Sequence, residues 1–243
     1  ALPQRHTVLW QDGPRMGAVQ ERLAQLGLAP MERGKGCNVW YCLGYVQAEG
    51  RAEAVALHDC DIITYQRDLL ARLVYPVVHP GFNYRFCKGY YARVAQGRLN
   101  GRVCRLLVSP LIRTLKRVST EQAYLEYLDS FRYLLAGEFS LQIDAVRDLR
   151  IPSDWGLEIG VISEMYRNHS TRRICQVEIA DAYDHKHQDL SPEDASRGLS
   201  RMSLDISKAL FRKLATYGTV FDRATIRTVK ATYFRIALDL IES

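Results

Sequence analysis

Apolar positions along the chain change rhythm several times, and each change marks an element. Thr7 to Trp10 reads as a short strand broken by Gly13-Pro14. Val19, Leu23 and Leu26 then recur at helical spacing from Met16 to Leu26, and Gly27 closes that helix in the manner of a C-terminal glycine. Val39, Leu43 and Val46 carry a second helix to Glu49-Gly50. The run from Ala54 to Ile63 reads as a buried strand of a parallel sheet. The opening third is therefore strand, helix, Gly-Lys-Gly, helix, strand, an α/β layout. Thr64 to Leu73 predicts a helix closed by Tyr75-Pro76, and Tyr84 to Val94 alternates as a strand. Asn100-Gly101 is a turn, and Val103 to Leu115 is an apolar segment interrupted by Pro110. Ile143 to Leu149 looks helical, and Ile174 to Ile179 is another strand. Leu190 to Arg201 reads as a polar loop. Two helices, about Leu204 to Tyr217 and Arg223 to Ile241, end the chain. The last has an apolar stripe (Ile226, Val229, Tyr233, Ile236, Ala237, Leu240) that covers the core or, as the lesser reading, pairs with a second copy in a homodimer.

Composition narrows the function classes. With 47% hydrophobic and 25% charged residues, the chain has the balance of a globular domain. No apolar run approaches the roughly 18 residues of a membrane span. The formal charge of +6 suits anionic ligands, phosphates above all. Lysines and arginines are scattered without interleaved aromatics, which argues against nucleic acid. The six cysteines form no C-x-x-C pair, so a zinc ribbon or redox motif is not indicated, and free thiols fit a reducing cytoplasm.

Candidate chemistry gathers at a few places. Asp59 and Asp61 end the Ala54–Ile63 stretch two residues apart, where open α/β sheets place their ligands. Two such carboxylates repel each other, and Mg²⁺ or Mn²⁺ relieves that cost through oxygen ligands while keeping a phosphate in its shell. Gly34-Lys35-Gly36 precedes a helix, where backbone amides and the ammonium both favour an anion, although the spacing is not that of a Walker loop. Lys88 on its strand points either into a site or to solvent. Arg102, at the Asn100-Gly101 turn, suits bidentate capture of phosphate or carboxylate. Glu138 follows Gly137 inside an apolar stretch and needs a partner if buried. Asp154 is a helix cap or, with Glu158 four residues on, one of two converging carboxylates. His185 and His187 lie on one side of an extended segment, as metal ligands or as an ordinary polar turn.

In this order Gly34-Lys35-Gly36, His58-Asp59-Cys60-Asp61, Phe86 to Tyr91, Gly101-Arg102-Val103, Ala136-Gly137-Glu138, Asp154 to Gly160 and the His185 loop resemble the retaining glucosyl-3-phosphoglycerate synthases, and less closely the mannosylglycerate synthases. The resemblance runs from about Gly34 to Met202. It implies a GT-A, Rossmann-like fold: a mixed, mainly parallel sheet flanked by helices, in a domain over residues 1–200, with a C-terminal helical extension over 201–243. It implies glucose transfer from a nucleotide-diphosphate sugar to 3-phosphoglycerate with retention, dependent on Mg²⁺ or Mn²⁺. On that pattern Lys35 and Gly34 contact the donor, and Asp61 binds the metal with His185 and Asp59. Gly137 and Glu138 line the sugar pocket. Arg102, Lys88, Cys104 and His187 serve the substrates, while Glu158 and Asp154 are the catalytic candidates. The family's opening Pro-x-x-Asn-Glu-like segment is not found, so either the N-terminus is missing and the nucleotide-binding part incomplete, or the segment has diverged. Leu134 stands where many relatives have proline, and Cys104 where a threonine often holds the acceptor. The rival readings are transfer of glucose or mannose to glycerate, a sugar-nucleotide pyrophosphorylase and a non-catalytic ligand-binding domain.

Overall fold

The computed structural model describes residues 5–30, 32–92, 94–95, 98–184 and 198–242. Its elements are α1 (Pro14–Gln25), α2 (Lys35–Glu49), β1 (Ala54–Leu57), α3 (Arg67–Val78) and β2 (Phe86–Tyr91), then a two-strand hairpin of β3 (Val94–Ala95) and β4 (Arg98–Leu99). A π-helical turn (Cys104–Val108) runs into α4 (Ser109–Val118), followed by α5 (Gln122–Asp129), β5 (Phe139–Gln142), α6 (Ile143–Val146) and α7 (Leu157–Asn168). A 3₁₀ turn (Thr171–Arg173), β6 (Ile174–Ala180), α8 (Gly198–Thr216) and α9 (Arg223–Glu242) complete the chain.

The main sheet has the order β1-β5-β2-β6. β5 runs antiparallel to both β1 and β2, while β2 and β6 are parallel, so three of the four strands point the same way. Leu57 pairs with Phe139, and Phe139 with Lys88, forming one row across the sheet. Side chains alternate between its two faces. Phe86, Phe139 and Leu141 join the larger core with α2, α4, α5, α7, α8 and α9. Cys87, Tyr91 and Ile179 join a smaller core with Leu69, Leu73 and Val77 of α3. The buried Ser140 also faces α3, where its hydroxyl donates to the Leu73 carbonyl at 2.6 Å. Fully burying each large apolar side chain stabilises the fold by about 1.5–3 kcal/mol. No helix among the described residues is long and apolar enough to cross a membrane.

Several sequence expectations need correction. Thr7 to Trp10 is not a strand. Among the described residues no strand pairs with it, and Val8 and Trp10 are exposed. The Ala54 strand stops at Leu57, which leaves Asp59 and Asp61 in the loop beyond its carboxyl end. α3 starts three residues later than expected and continues through Pro76, because Leu73 and Val77 are held under the sheet and loss of one amide in the last turn is tolerated. Pro110 does not interrupt its segment: the π-helical turn leads straight into α4 through it, and the Leu106 carbonyl, four residues before the proline and lacking its amide, accepts from Tyr233 Oη at 2.7 Å instead. β5 was not recognised, since a four-residue apolar run does not tell strand from helix. α7 begins at Leu157 rather than just after Asp154. Of the expected polar loop, Gly198 to Arg201 form the first turn of α8, and residues 190–197 lie outside the described ones.

The start of α2 is pressed against the segment before α7. Cys37 N donates to Ser153 O at 2.9 Å, and a Cβ added at Gly36 would lie 2.0 Å from the Pro152 carbonyl oxygen. Gly36→Ala should therefore lower the urea midpoint by the equivalent of roughly 1–3 kcal/mol through overpacking. Gly44→Ala, in the same helix with nothing within 4 Å of the added carbon, should raise it by about 0.5–1 kcal/mol. Equal shifts for the two variants would contradict this account of the joint.

Candidate functional site

Three segments far apart in sequence meet at the carboxyl end of β1. Lys35, the first residue of α2, places its ammonium 2.6 Å from Asp59 Oδ1 and 2.9 Å from Glu158 Oε1. Asp59 lies in the loop after β1, and Glu158 in the first turn of α7. Burial alone would lower the Lys35 pKa. Glu158 and Asp59 outweigh it and hold the ammonium well above the usual lysine range. Glu158 is buried, whereas Lys35 and Asp59 are partly open to solvent. The result is a cation at the rim of the sheet, clasped by one buried and one half-buried carboxylate.

The turn before β5 closes over this pair. A Cβ on Gly137 would stand 2.5 Å from Asp59 Oδ2 and 2.6 Å from Lys35 Nζ, so a side chain there would push the ion pair aside. Glu138 is fully buried and accepts hydrogen bonds from Tyr91 Oη at 2.9 Å and Tyr183 Oη at 2.5 Å, with Asp59 N at 3.5 Å. The two tyrosine rings stack with centroids 3.5 Å apart. Burial first, and the Glu138 charge second, raise the pKa of both phenols, so they stay protonated donors. Tyr91 and Tyr183 were not anticipated, since their partner Glu138 lies on another element and leaves no local spacing signal, and neither was His58. Both His58 ring nitrogens are buried without a hydrogen-bond partner, and the ring meets Tyr65 edge-on at 5.4 Å. Burial lowers the His58 pKa against the opposing pull of Glu138 and Asp59.

Beneath the turn lies Lys88, 1% exposed, with Nζ donating to the Ala136 carbonyl and lying 5.9 Å from the Phe139 ring centroid. It faces the interior rather than solvent. Burial pushes its pKa down to about 8, against the raising influence of Glu158, Glu138 and Asp59 and with a further lowering from Lys35. Cys104 is buried at the π-helical turn, where burial raises its thiol pKa; the Ser109 hydroxyl and the Leu134–Leu135 backbone work in the other direction.

The other expected residues are distributed differently. Gly34 precedes α2 against the Ser153 backbone. Arg102 is exposed at the first helical position after Gly101. Asp61 is exposed, with no hydrogen bond or ion pair among the described residues. His185 and His187 lie outside the described residues. Asp154 and Glu158 do not converge on a common partner. Asp154 precedes the helix, accepts from Gly156 N at 2.8 Å, and groups instead with Glu32 and Asp205. Arg201 bridges two members of that group, donating to Asp205 Oδ2 at 2.8 Å and to Glu32.

The low pKa of Lys88 has a consequence for stability. Between pH 8 and the ordinary lysine value of 10.5, the unfolded chain keeps a proton that the folded one has released. Stability supplied by this residue therefore rises with pH through that window, by at most about 1.4 kcal/mol per pH unit. The unfolding free energy of the wild type minus that of Lys88→Met should climb between pH 8 and 10. A flat difference would show that the buried ammonium carries no such cost.

No family model matches the chain. Two curated relatives do, both named glucosyl-3-phosphoglycerate synthase: one from Persephonella marina is 50% identical over 235 residues, and one from Methanococcoides burtonii is 41% identical over 241. Each alignment covers 97% of this chain and 58% of the relative, so the chain spans a little over half the length of the proteins it matches. Among solved structures, glucosyl-3-phosphoglycerate synthase from Mycobacterium tuberculosis, in complex with Mn²⁺, UDP-glucose and phosphoglyceric acid, superposes with a TM-score of 0.60 at 23% identity, over 83% of this chain and 61% of that one. The same enzyme with Mg²⁺ and UDP also gives 0.60. The mixed four-stranded sheet flanked by helices is that of the GT-A glycosyltransferases. Along nearly its whole length, the chain is a homologue of the glucosyl-3-phosphoglycerate synthases.

Proposed function

We propose that this chain carries the catalytic face of a retaining glycosyltransferase that moves glucose from a nucleotide-diphosphate sugar to 3-phosphoglycerate. The observation that carries the reading is the Lys35 ammonium held between Asp59 and Glu158 at the carboxyl end of β1. Support comes from the relatives' names and from UDP-glucose and phosphoglyceric acid in the mycobacterial complexes.

Each chain residue then has a task. Lys35, with the first amides of α2 beyond Gly34, meets the diphosphate and stabilises the charge that grows as the sugar–phosphate bond breaks. Glu158 aims Lys35 from behind and offers its carboxylate to the acceptor hydroxyl. Gly137 leaves room for the sugar, and Glu138, fixed by Tyr91 and Tyr183, sets one wall of its pocket. The exposed guanidinium of Arg102 takes the acceptor's phosphate or carboxylate, beside Cys104. Asp154 shapes the entry to α7 through Gly156 N. Attack comes from the face the leaving group departs, with the departing phosphate receiving the acceptor proton.

Asp61 and Asp59 supply hard carboxylate oxygens that fit Mg²⁺ or Mn²⁺, and the unengaged carboxylate of Asp61 is a free donor for it; His185 is the further ligand in this reading. When bound, the ion supplies charge neutralisation at the diphosphate. The six unpaired cysteines support a cytoplasmic location.

A product assay with UDP-, GDP- and ADP-glucose against 3-phosphoglycerate and glycerate tests the reading, and glucosyl-3-phosphoglycerate should dominate. Pyrophosphate release, or glucosylglycerate as the main product, would overturn it. Asp61→Ala should abolish turnover while shifting the unfolding free energy by no more than about 0.5 kcal/mol, because its carboxylate is unengaged. Lys35→Ala should lower kcat by roughly a hundredfold or more. Chelation with EDTA should stop transfer, and added Mn²⁺ should restore it.

A further inference from the structure

Lys88 sits where a lysine is expensive. Its neighbours along the row across the sheet are the buried Phe139 on β5, with the half-buried Leu57 beyond it, and the half-buried Gln176 on β6, and Phe86 is fully buried two residues earlier on the same face. An apolar side chain of similar length would fill this volume without the cost of desolvating an ammonium. The charged groups around it come from every element packed there: Glu158 on α7, Glu138 before β5, Asp59 after β1 and Lys35 on α2. The Cys104 thiol faces it from the π-helical turn, and Cys87 adjoins it on β2. None of the acids takes its hydrogen bond. Lys88 Nζ instead donates to the carbonyl of Ala136, the residue that opens the turn over Asp59 and Lys35. Next to it, Gly89 N donates to Glu138 O at 2.9 Å. Two adjacent residues of β2 thus grip both ends of the three-residue Ala136-Gly137-Glu138 turn.

The geometry points to Lys88 as a positioning residue for sugar transfer: its ammonium, buried beneath the Ala136-Gly137-Glu138 turn, fixes that turn against Asp59 and Lys35 and so places the wall of the sugar pocket. Lys88 touches no substrate in this role. This rests on the transferase reading for its kinetic part, but not for its structural part. Without the ammonium the Ala136 carbonyl loses its donor, and Glu138 and Glu158 lose a nearby positive charge. The turn then drifts from the pose that the reacting sugar requires, while the diphosphate still finds Lys35. The loss belongs to kcat rather than to donor affinity.

The test compares Lys88→Met, Lys88→Gln and Lys88→Arg by steady-state kinetics, by calorimetry with UDP and Mn²⁺, and by hydrogen exchange of peptides covering residues 134–140. Lys88→Met should lower kcat by roughly ten- to a hundredfold, leave the donor KM and the UDP dissociation constant within about threefold, and speed exchange across the turn. Lys88→Gln, which keeps an N–H donor, and Lys88→Arg, which keeps the charge, should each recover part of the lost kcat and part of the protection. A folded Lys88→Met with wild-type kcat and unchanged exchange would overturn the proposal. So would a loss confined to UDP affinity, or Gln and Arg variants no better than Met. If Lys88→Met fails to fold, the Gln and Arg variants measured against wild type decide: slower turnover at unchanged UDP affinity supports the role, and wild-type turnover in both refutes it. If the wild type transfers glucose to no acceptor, the transferase reading fails, while the exchange comparison still reports on the turn.

Discussion

A single ammonium governs the geometry of this molecule's working end. Lys35 comes from a helix start, Asp59 from a loop after a strand, and Glu158 from another helix start more than a hundred residues away. None of the three is well placed alone: Glu158 is buried, and a buried carboxylate left unpaired is costly. Their mutual satisfaction fixes α2, β1 and α7 relative to one another. Glycine at 137 leaves that pairing undisturbed, because the space a side chain would take is filled by Asp59 and Lys35.

The antiparallel strand explains how the Ala136-Gly137-Glu138 turn reaches that point. In an all-parallel sheet, every strand would begin at the end opposite to Asp59. β5 is reversed, so its beginning lies beside the end of β1, with Leu57 opposite Phe139. Ala136, Gly137 and Glu138, which lead into β5, are delivered to the same rim as the acidic loop. The reversed strand therefore serves the site as well as the core. Its neighbour β2 adds Lys88 and Gly89 from below and Tyr91 from the other face.

Much of this was legible in the chain. The apolar run ending in Asp59 and Asp61, the glycine-flanked Lys35 before a helix and the lone Glu138 in an apolar stretch are local signals, and the structure places Lys35, Asp59 and Glu138 within one site. The two closing helices were legible from their stripes because long amphipathic elements carry many repeats of the period. What stayed hidden depends on contacts across the sheet. Four residues are too few to reveal β5, and nothing near Tyr91 or Tyr183 announces that both will bond a glutamate about 45 positions away. Asp154 misled for a related reason: its spacing to Glu158 suited a helical face, but the helix starts after it, so the two carboxylates leave on different courses.

The contact between Gly36 and the Pro152–Ser153 backbone bears on how the site responds to charge. Lys35 adjoins one side of that junction, and Glu158 follows closely on the other. Their separation is set by main chain pressed on main chain as well as by the ion pair between the side chains. In the proposed transfer, the dipoles and charges that would meet a diphosphate already stand in their final orientation. The reorganisation energy that water would demand for the same event is largely avoided, having been spent once, during folding.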